Sequence, residues 1–252
     1  MSEQSAPTAC LLLIGNELLS GRTEDRNLAF LGKRLAALGI GLLEARVIAD
    51  DTDTIVHNVN DCRQRFDYVF TTGGIGPTHD DITSAAIAKA FDVPLQRHPG
   101  AEQALRDYYG EQLNAARLKM TEMPAGAVLI DNPLSGAPGF QMENVFVLAG
   151  IPSVMQAMFD ALAERLRQGA PIQSRTLTTD RREGEIAERL GKIQARYPDV
   201  SIGSYPFFTA KAKGVNIVLR GTDAARTNLA VTELRELIDS LGGNCEEMHE
   251  TL

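Results

Sequence analysis

A three-layer α/β/α sandwich with a mostly parallel sheet, followed by a small α+β domain, is predicted by three features of this chain. Apolar runs of strand length alternate with helical patterns between residues 9 and 167. Three glycine turns, at residues 15–21, 73–81 and 150–153, each fall between a candidate strand and a candidate helix. Past a break at residues 169–171 the order changes to β-α-β-β-α. The expected domains are residues 1–169 and 170–252.

The elements follow in order. Residues 9–14 (ACLLLI) form a continuous apolar run, as a parallel strand covered on both faces requires. A turn is expected at 15–21, then a helix from Asp25 with Leu28, Leu31, Leu35 and Leu38 inward and Gly39 as its stop. Residues 40–49 read as a strand. Asp51 or Thr52 can cap the next helix, which carries Ile55, Val56, Val59 and Cys62, and Asp50 competes for that capping role. A strand at 67–72 leads into the glycine loop and a helix over 82–91. Pro99 suits the first turn of a helix running to Tyr109. Short strands are expected at 127–130 and 145–149, separated by a Pro- and Gly-rich segment at 132–140. A helix over 152–167 turns Val154, Met155, Met158, Phe159, Leu162 and Leu166 inward, with the methionines as core filler. The second domain reads as strand 174–179, helix 183–196, strands 200–205 and 215–220, and helix 224–241. The first eight residues and the tail from Gly242 are expected to fray.

Composition narrows the function classes. The chain has 252 residues, with 33 Asp and Glu against 25 Lys and Arg, a net charge of -8, which disfavours a nucleic-acid coat. Three cysteines without CxxC spacing fit a reducing cytoplasm and argue against a structural zinc site. The longest apolar run, six residues, is too short for a membrane span.

The chemistry is expected at the glycine turns. Thr71 to Thr83 reads TTGGIGPTHDDIT, a strand end, a glycine loop and a helix start. Gly73, Gly74 and Gly76 leave backbone N–H groups uncovered, so the segment that they form with Pro77 and Thr78 is a candidate phosphate cradle. Asp80 and Asp81 stand at the same helix entrance. Carboxylates beside a phosphate imply that a divalent cation, Mg²⁺, Mn²⁺ or Co²⁺, or a bound water's proton lies between them. Glu17 and Asp50 are candidates to join this cluster, while Gly150, Pro152 and Ser153 can hold a second phosphate. Ser135 can do the same or simply stabilise a turn. His79 is read as a solvated turn residue ahead of a general base, and Lys211 and Lys213 as surface residues ahead of ligand contacts. No GxxxxGK[ST] loop occurs, since Gly191 and Lys192 are followed by Ile193. The dinucleotide fingerprint fails where His79 stands in place of its third glycine, and no GxSxG elbow is present.

With these residues named, the chain resembles the molybdopterin-binding domain superfamily, in particular its competence/damage-inducible protein A N-terminal branch. The segments that carry the resemblance are GNELLSG from Gly15, Asp25 to Asn27, TTGGIGPTHDDIT from Thr71, APGF from Ala137 and LAGIPSVMQAMF from Leu148. EGEIAERL from Glu183 and IGSYP from Ile202 look like the small domain that accompanies it, in a short form standing alone. The resemblance implies metal-dependent hydrolysis of a nucleotide pyrophosphate such as ADP-ribose or FAD, with Asp81 catalytic and Asp50 approximately matching a second catalytic aspartate. More distant relatives imply molybdopterin binding or adenylyl transfer instead, and a scaffold without chemistry is the third reading. Ile75, where those relatives have Thr, and Pro77 favour the pyrophosphatase. Homo-oligomerisation is likewise an implication of the resemblance.

Overall fold

Apolar runs too short for helices set the central sheet. A computed structural model describes residues 6–209 and 213–248. In chain order the first unit comprises β1 (Thr8–Ile14), α1 (Asn16–Leu19), α2 (Asn27–Ala37), β2 (Gly41–Ile48), α3 (Thr52–Arg65), β3 (Tyr68–Thr72), α4 (Thr83–Ala90), β4 (Leu95–Arg97), α5 (Pro99–Tyr109), α6 (Ala115–Lys119), β5 (Glu122–Pro124), β6 (Val128–Ile130), β7 (Gly139–Met142), β8 (Val145–Leu148) and α7 (Pro152–Leu162). The main sheet runs β2-β1-β3-β8-β7-β6, its first four strands parallel and its last two pairings antiparallel. The fold is thus α/β with a mostly parallel sheet.

Alternation along β1 explains the layers. Cys10, Leu12 and Ile14 join Ile55, Val59 and Cys62 of α3 and Ala86 and Ile87 of α4 in one apolar cluster. On the other face Phe70 stacks on Phe146 at 5.2 Å and leans on Phe159 of α7 at 5.7 Å, with Phe30 of α2 edge-on to Phe159 at 6.1 Å. Phe70, Phe146 and Phe159 are fully or almost fully buried, each contributing roughly 1.5–3 kcal/mol of burial free energy. Asp51 caps α3 by accepting from the N–H and hydroxyl of Thr54, which holds its carboxyl below the usual range.

The second unit comprises β9 (Gln173–Thr179), α8 (Glu183–Arg196), β10 (Ser201–Phe208), β11 (Lys213–Gly221), α9 (Ala224–Ser240) and β12 (Cys245–Met248). Contacts divide the chain between Gly169 and Ala170, with Ala37–Gly39 grouped on the far side. Its sheet, β10-β11-β9-β12, is antiparallel throughout. Leu177, Val215, Ile217 and Leu219 from the sheet pack with Ile186, Leu190 and Ile193 of α8 and Ala230, Leu234 and Ile238 of α9.

Several elements differ from expectation. The turn after β1 contains the short helix α1, and Leu28 is 38% exposed, because α2 buries the stripe Asn27, Leu31 and Leu35. The Pro- and Gly-rich segment ends in a strand, β7, whose Gly139 leaves no room for a side chain beside the Val147 carbonyl, 2.5 Å from where a Cβ would stand. The tail does not fray at Cys245–Met248. It forms β12, where Glu247 accepts from both Arg175 and Arg235, an ion pairing that holds its carboxyl below the usual range. Lys211 lies outside the described residues, and Lys213 is an exposed residue at the start of β11.

Candidate functional site

The four parallel strands end side by side, and the loops that follow β1, β2, β3 and β8 meet at that edge. One half of the edge is buried. Gly73 has φ +104 and a Cβ there would stand 2.2 Å from the Ile14 carbonyl; Gly74 has φ +68 and its Cβ would stand 2.2 Å from Thr83 Oγ1. Thr83 closes this turn, donating from Oγ1 to Gly73 O at 3.0 Å and from N to Gly74 O at 3.0 Å. A Cβ on Gly150 would lie 3.2 Å from Gly73 Cα, so the loops after β3 and β8 touch through two glycines. Asn27 fastens the second of them, its Nδ2 donating to Gly150 O at 2.9 Å. Asn27 is 5% exposed, yet its Oδ1 has no hydrogen-bond partner among the described residues.

The other half is open. Gly76 makes room for Asp81, whose Oδ2 would be 2.7 Å from a Cβ at that position. Asp81 Oδ2 accepts from Thr78 N at 2.8 Å and lies 2.6 Å from Thr78 Oγ1, and Asp80 Oδ1 lies 2.5 Å from the same hydroxyl. The Thr78 hydroxyl holds the Asp80 carboxyl below its ordinary value, helped by its own backbone and by the charges of His79 and Lys119. Lys119, at the end of α6, donates to the Thr78 carbonyl. The His79 side chain is 99% exposed, 4.0 Å from Asp80, with no fixed partner that would aim it as a base.

The phosphate cradle is smaller than the sequence suggests. Gly73 N donates to Leu148 O at 3.2 Å and Thr78 N to Asp81, while Pro77 has no N–H to offer. Gly74, Ile75 and Gly76 keep N–H groups without an acceptor among the described residues. Asp81 does not cap α4, since Ile82 holds that place without a side-chain hydrogen bond; its carboxylate closes the loop instead. Asp50 does not cap α3 either. Its Oδ2 accepts from Asn16 N at 2.7 Å and so fastens the loop after β1 to the loop after β2. Glu17 is exposed and folds back over Gly15, where a Cβ would meet its Oε1 at 2.6 Å. Pro152 opens α7 and Ser153 is exposed in its first turn, whose N–H groups have no intrahelical acceptor. Ser135 serves a turn, its Oγ accepting from Asn132 Nδ2 at 2.6 Å and its N–H donating to Asn132 Oδ1 at 3.2 Å.

Lys119 went unsingled in the sequence for want of a motif, and Asn27 entered only as the end of the Asp25 to Asn27 segment of the resemblance; its i, i+4 spacing with Leu31 and Leu35 hints that a polar side chain is buried. Among the described residues no three His, Cys, Asp or Glu side chains gather to hold a metal by themselves. Asp80 and Asp81 nevertheless fit a hard cation, because Mg²⁺-like ions take one or two carboxylates and complete their shell with water and substrate phosphate. The recess beside Asp81, lined by Ile75, Gly76, Ser84 and Lys119 among others, has about 30 Å³, room for a water. A ligand larger than a few atoms does not fit inside this recess. A larger recess of about 310 Å³ lies between α8 and α9 of the second unit, where Arg196 pairs with Glu233, Lys192 with Glu188, and Arg189 donates to Ser240 Oγ, and no glycine turn adjoins it.

Such a sheet edge defines an α/β protein whose loops gather at the carboxyl ends of its parallel strands. The chain belongs to the family described as probable molybdopterin binding domain, which matches residues 10–168. Residues 171–242 match the family described as FAD synthase, middle domain. A probable FAD synthase from Caenorhabditis elegans is 34% identical over an alignment of 261 positions that covers 92% of this chain and 50% of the worm protein; the chain thus spans half of that relative's length. A protein from Archaeoglobus fulgidus is 31% identical over 229 residues, 91% of this chain and 97% of its own. The solved structure of the protein CinA from Thermoplasma acidophilum, described as of unknown function, covers 64% of this chain and 98% of its own, with 33% identity and a TM-score of 0.60. Among the described residues no helix is long and apolar enough to cross a membrane.

Proposed function

We propose that this protein binds a dinucleotide of the FAD or ADP-ribose class across the sheet edge and hydrolyses its phosphoanhydride. The observation that carries the reading is the Thr78 hydroxyl, which lies within hydrogen-bond distance of both Asp80 and Asp81. One hydroxyl has one proton, so two carboxylates on it leave one oxygen facing a lone pair unless positive charge sits among them. Asp80, Asp81 and the Thr78 hydroxyl would hold a divalent cation, which when bound would polarise the anhydride and lower the pKa of an attacking water.

The chain's own groups do the rest. The N–H groups of Gly74, Ile75 and Gly76 hold one phosphate, and the first turn of α7, at Ser153, holds the other. Asn27 Oδ1 accepts from a sugar hydroxyl or a base amino group of the ligand, which supplies the partner it lacks. Lys119 leaves the Thr78 carbonyl to meet the added negative charge. Glu17, whose carboxylate makes no hydrogen bond among the described residues, accepts the water's proton.

Likeness to proteins named FAD synthase supports a second reading, adenylyl transfer on the same cradle, with a flavin or pterin phosphate as acceptor. One experiment separates the readings. The purified chain is incubated with FAD or ADP-ribose, and separately with FMN and ATP, in Mg²⁺, Mn²⁺ or Co²⁺. Release of AMP from the dinucleotides supports hydrolysis, and formation of FAD with pyrophosphate supports transfer. Neither product in any metal leaves the binding scaffold and sinks both.

A further inference from the structure

Two of the three cysteines stand together in the core. Cys10, in β1, and Cys62, in the last turns of α3, are both fully buried, and their sulfurs are 3.2 Å apart although 52 residues separate them in the chain. A disulfide bond measures about 2.05 Å, so closure asks the pair to approach by roughly 1 Å. β1 is an inner strand of the sheet, and Cys10 and Cys62 pack in the same apolar cluster.

We propose that Cys10 and Cys62 form an oxidisable dithiol, which a small peroxide converts into a disulfide tying β1 to α3. The two sulfurs are not equivalent. The two thiols are within hydrogen-bond distance and either can donate; this hydrogen bond, with the nearby Arg46 guanidinium, holds the Cys62 thiol below its ordinary value, while the hydrogen bond and burial push Cys10 up. Arg46 is itself held beside the pair by Glu44, Asn58 and Asp61. In the proposed step Cys62 is the attacking sulfur. It takes one peroxide oxygen, the O–O bond breaks, and a water and a Cys62 sulfenic acid result. The Cys10 sulfur then attacks the Cys62 sulfur and expels hydroxide, which leaves as the second water with the Cys10 proton. In sum two thiols and one hydrogen peroxide give one disulfide and two waters; each sulfur loses one electron and the peroxide gains two. Cys245, half-buried in the second unit with its thiol pushed up by burial, has no such partner among the described residues.

Neither cysteine belongs to the glycine loops, so this pair stands or falls apart from the proposed hydrolysis. The test treats the full chain with hydrogen peroxide, quenches with catalase and denatures it in excess alkylating agent. The expected result is an intact mass lower by about 2 Da before alkylation, one alkylated thiol in place of three, and recovery of all three after reduction. Proteolysis of the oxidised protein should yield one bridged peptide containing Cys10 and Cys62, a measurement that needs no variant. Cys62→Ser should abolish the bridge and Cys245→Ser should retain it. Three alkylated thiols after oxidation, or a bridge that contains Cys245, would overturn the proposal.

Discussion

The two halves of the sheet edge are built on opposite terms. Around Gly73, Gly74, Gly150, Asn27 and Thr83 the chain is tightly packed, with left-handed φ and no room for a Cβ at Gly73 and Gly74 and a threonine fastening two carbonyls. Around Gly76, Thr78, Asp80 and Asp81 the chain is partly or fully exposed, and apart from the Lys119 bond to the Thr78 carbonyl its side-chain hydrogen bonds join neighbours two or three residues apart. The difference teaches which glycines belong to the fold and which to the chemistry. A rigid half holds the strand ends in place, and a half bound mainly to itself can exchange its contacts for a ligand.

Gly73→Ala should have the largest effect. A Cβ on the Ile14 carbonyl at a left-handed φ is expected to cost about 4 kcal/mol or more, read as a collapse of the urea midpoint. Wild-type stability in that variant would erase the distinction between the halves. Asp81→Asn is expected to reduce release of AMP from FAD by about 100-fold or more while the urea midpoint hardly moves, since the amide can still accept from Thr78. Loss of folding in step with activity would place Asp81 in the rigid half. Asn27→Ala removes the bond to Gly150 and should destabilise by about 1–2 kcal/mol in the same denaturation. Lys119→Met should raise KM about tenfold with kcat nearly kept, because it removes a charge that meets substrate and no buried contact.

The smallest effect concerns pH. The folded protein lowers the Asp80 carboxyl from 3.8, so its contribution to the loop is fully present above that value and is lost as pH falls through the lower, folded value. Turnover should therefore hold from neutrality to about pH 5 and fall only in the acid range below the ordinary carboxylate value. Asp80→Asn should alter this acid limb in a pH–rate profile and leave the profile above it unchanged in shape.

Much of the framework was legible because it rests on local pattern. The ACLLLI run, the stripe of Ile55, Val59 and Cys62, and Pro99 at the first turn of α5 each state their element through side-chain spacing or a fixed φ. The site was legible in part. TTGGIGPTHDDIT announces a turn that suits an anion, but the choice between Asp50 and Asp51 as cap of α3 depends on which carboxylate another loop claims, and Asn16 claims Asp50. Strand β7 hides in a glycine- and proline-rich segment because its partners supply what its own residues do not. Strand β12 is unreadable for a similar reason, since Arg175 and Arg235 come from other elements.

By itself the sequence determined the alternation of strands and helices, the glycine turns at the strand ends and the family, all of which follow from periodicity and from residues with unusual backbone freedom. Tertiary structure alone decided which amides stay open, that Asn27 keeps an acceptor without a donor, that Lys119 stands over the Thr78 carbonyl, and that two cysteines far apart in the chain touch. Those outcomes depend on groups brought together from distant segments, and no local spacing encodes a contact across the sheet.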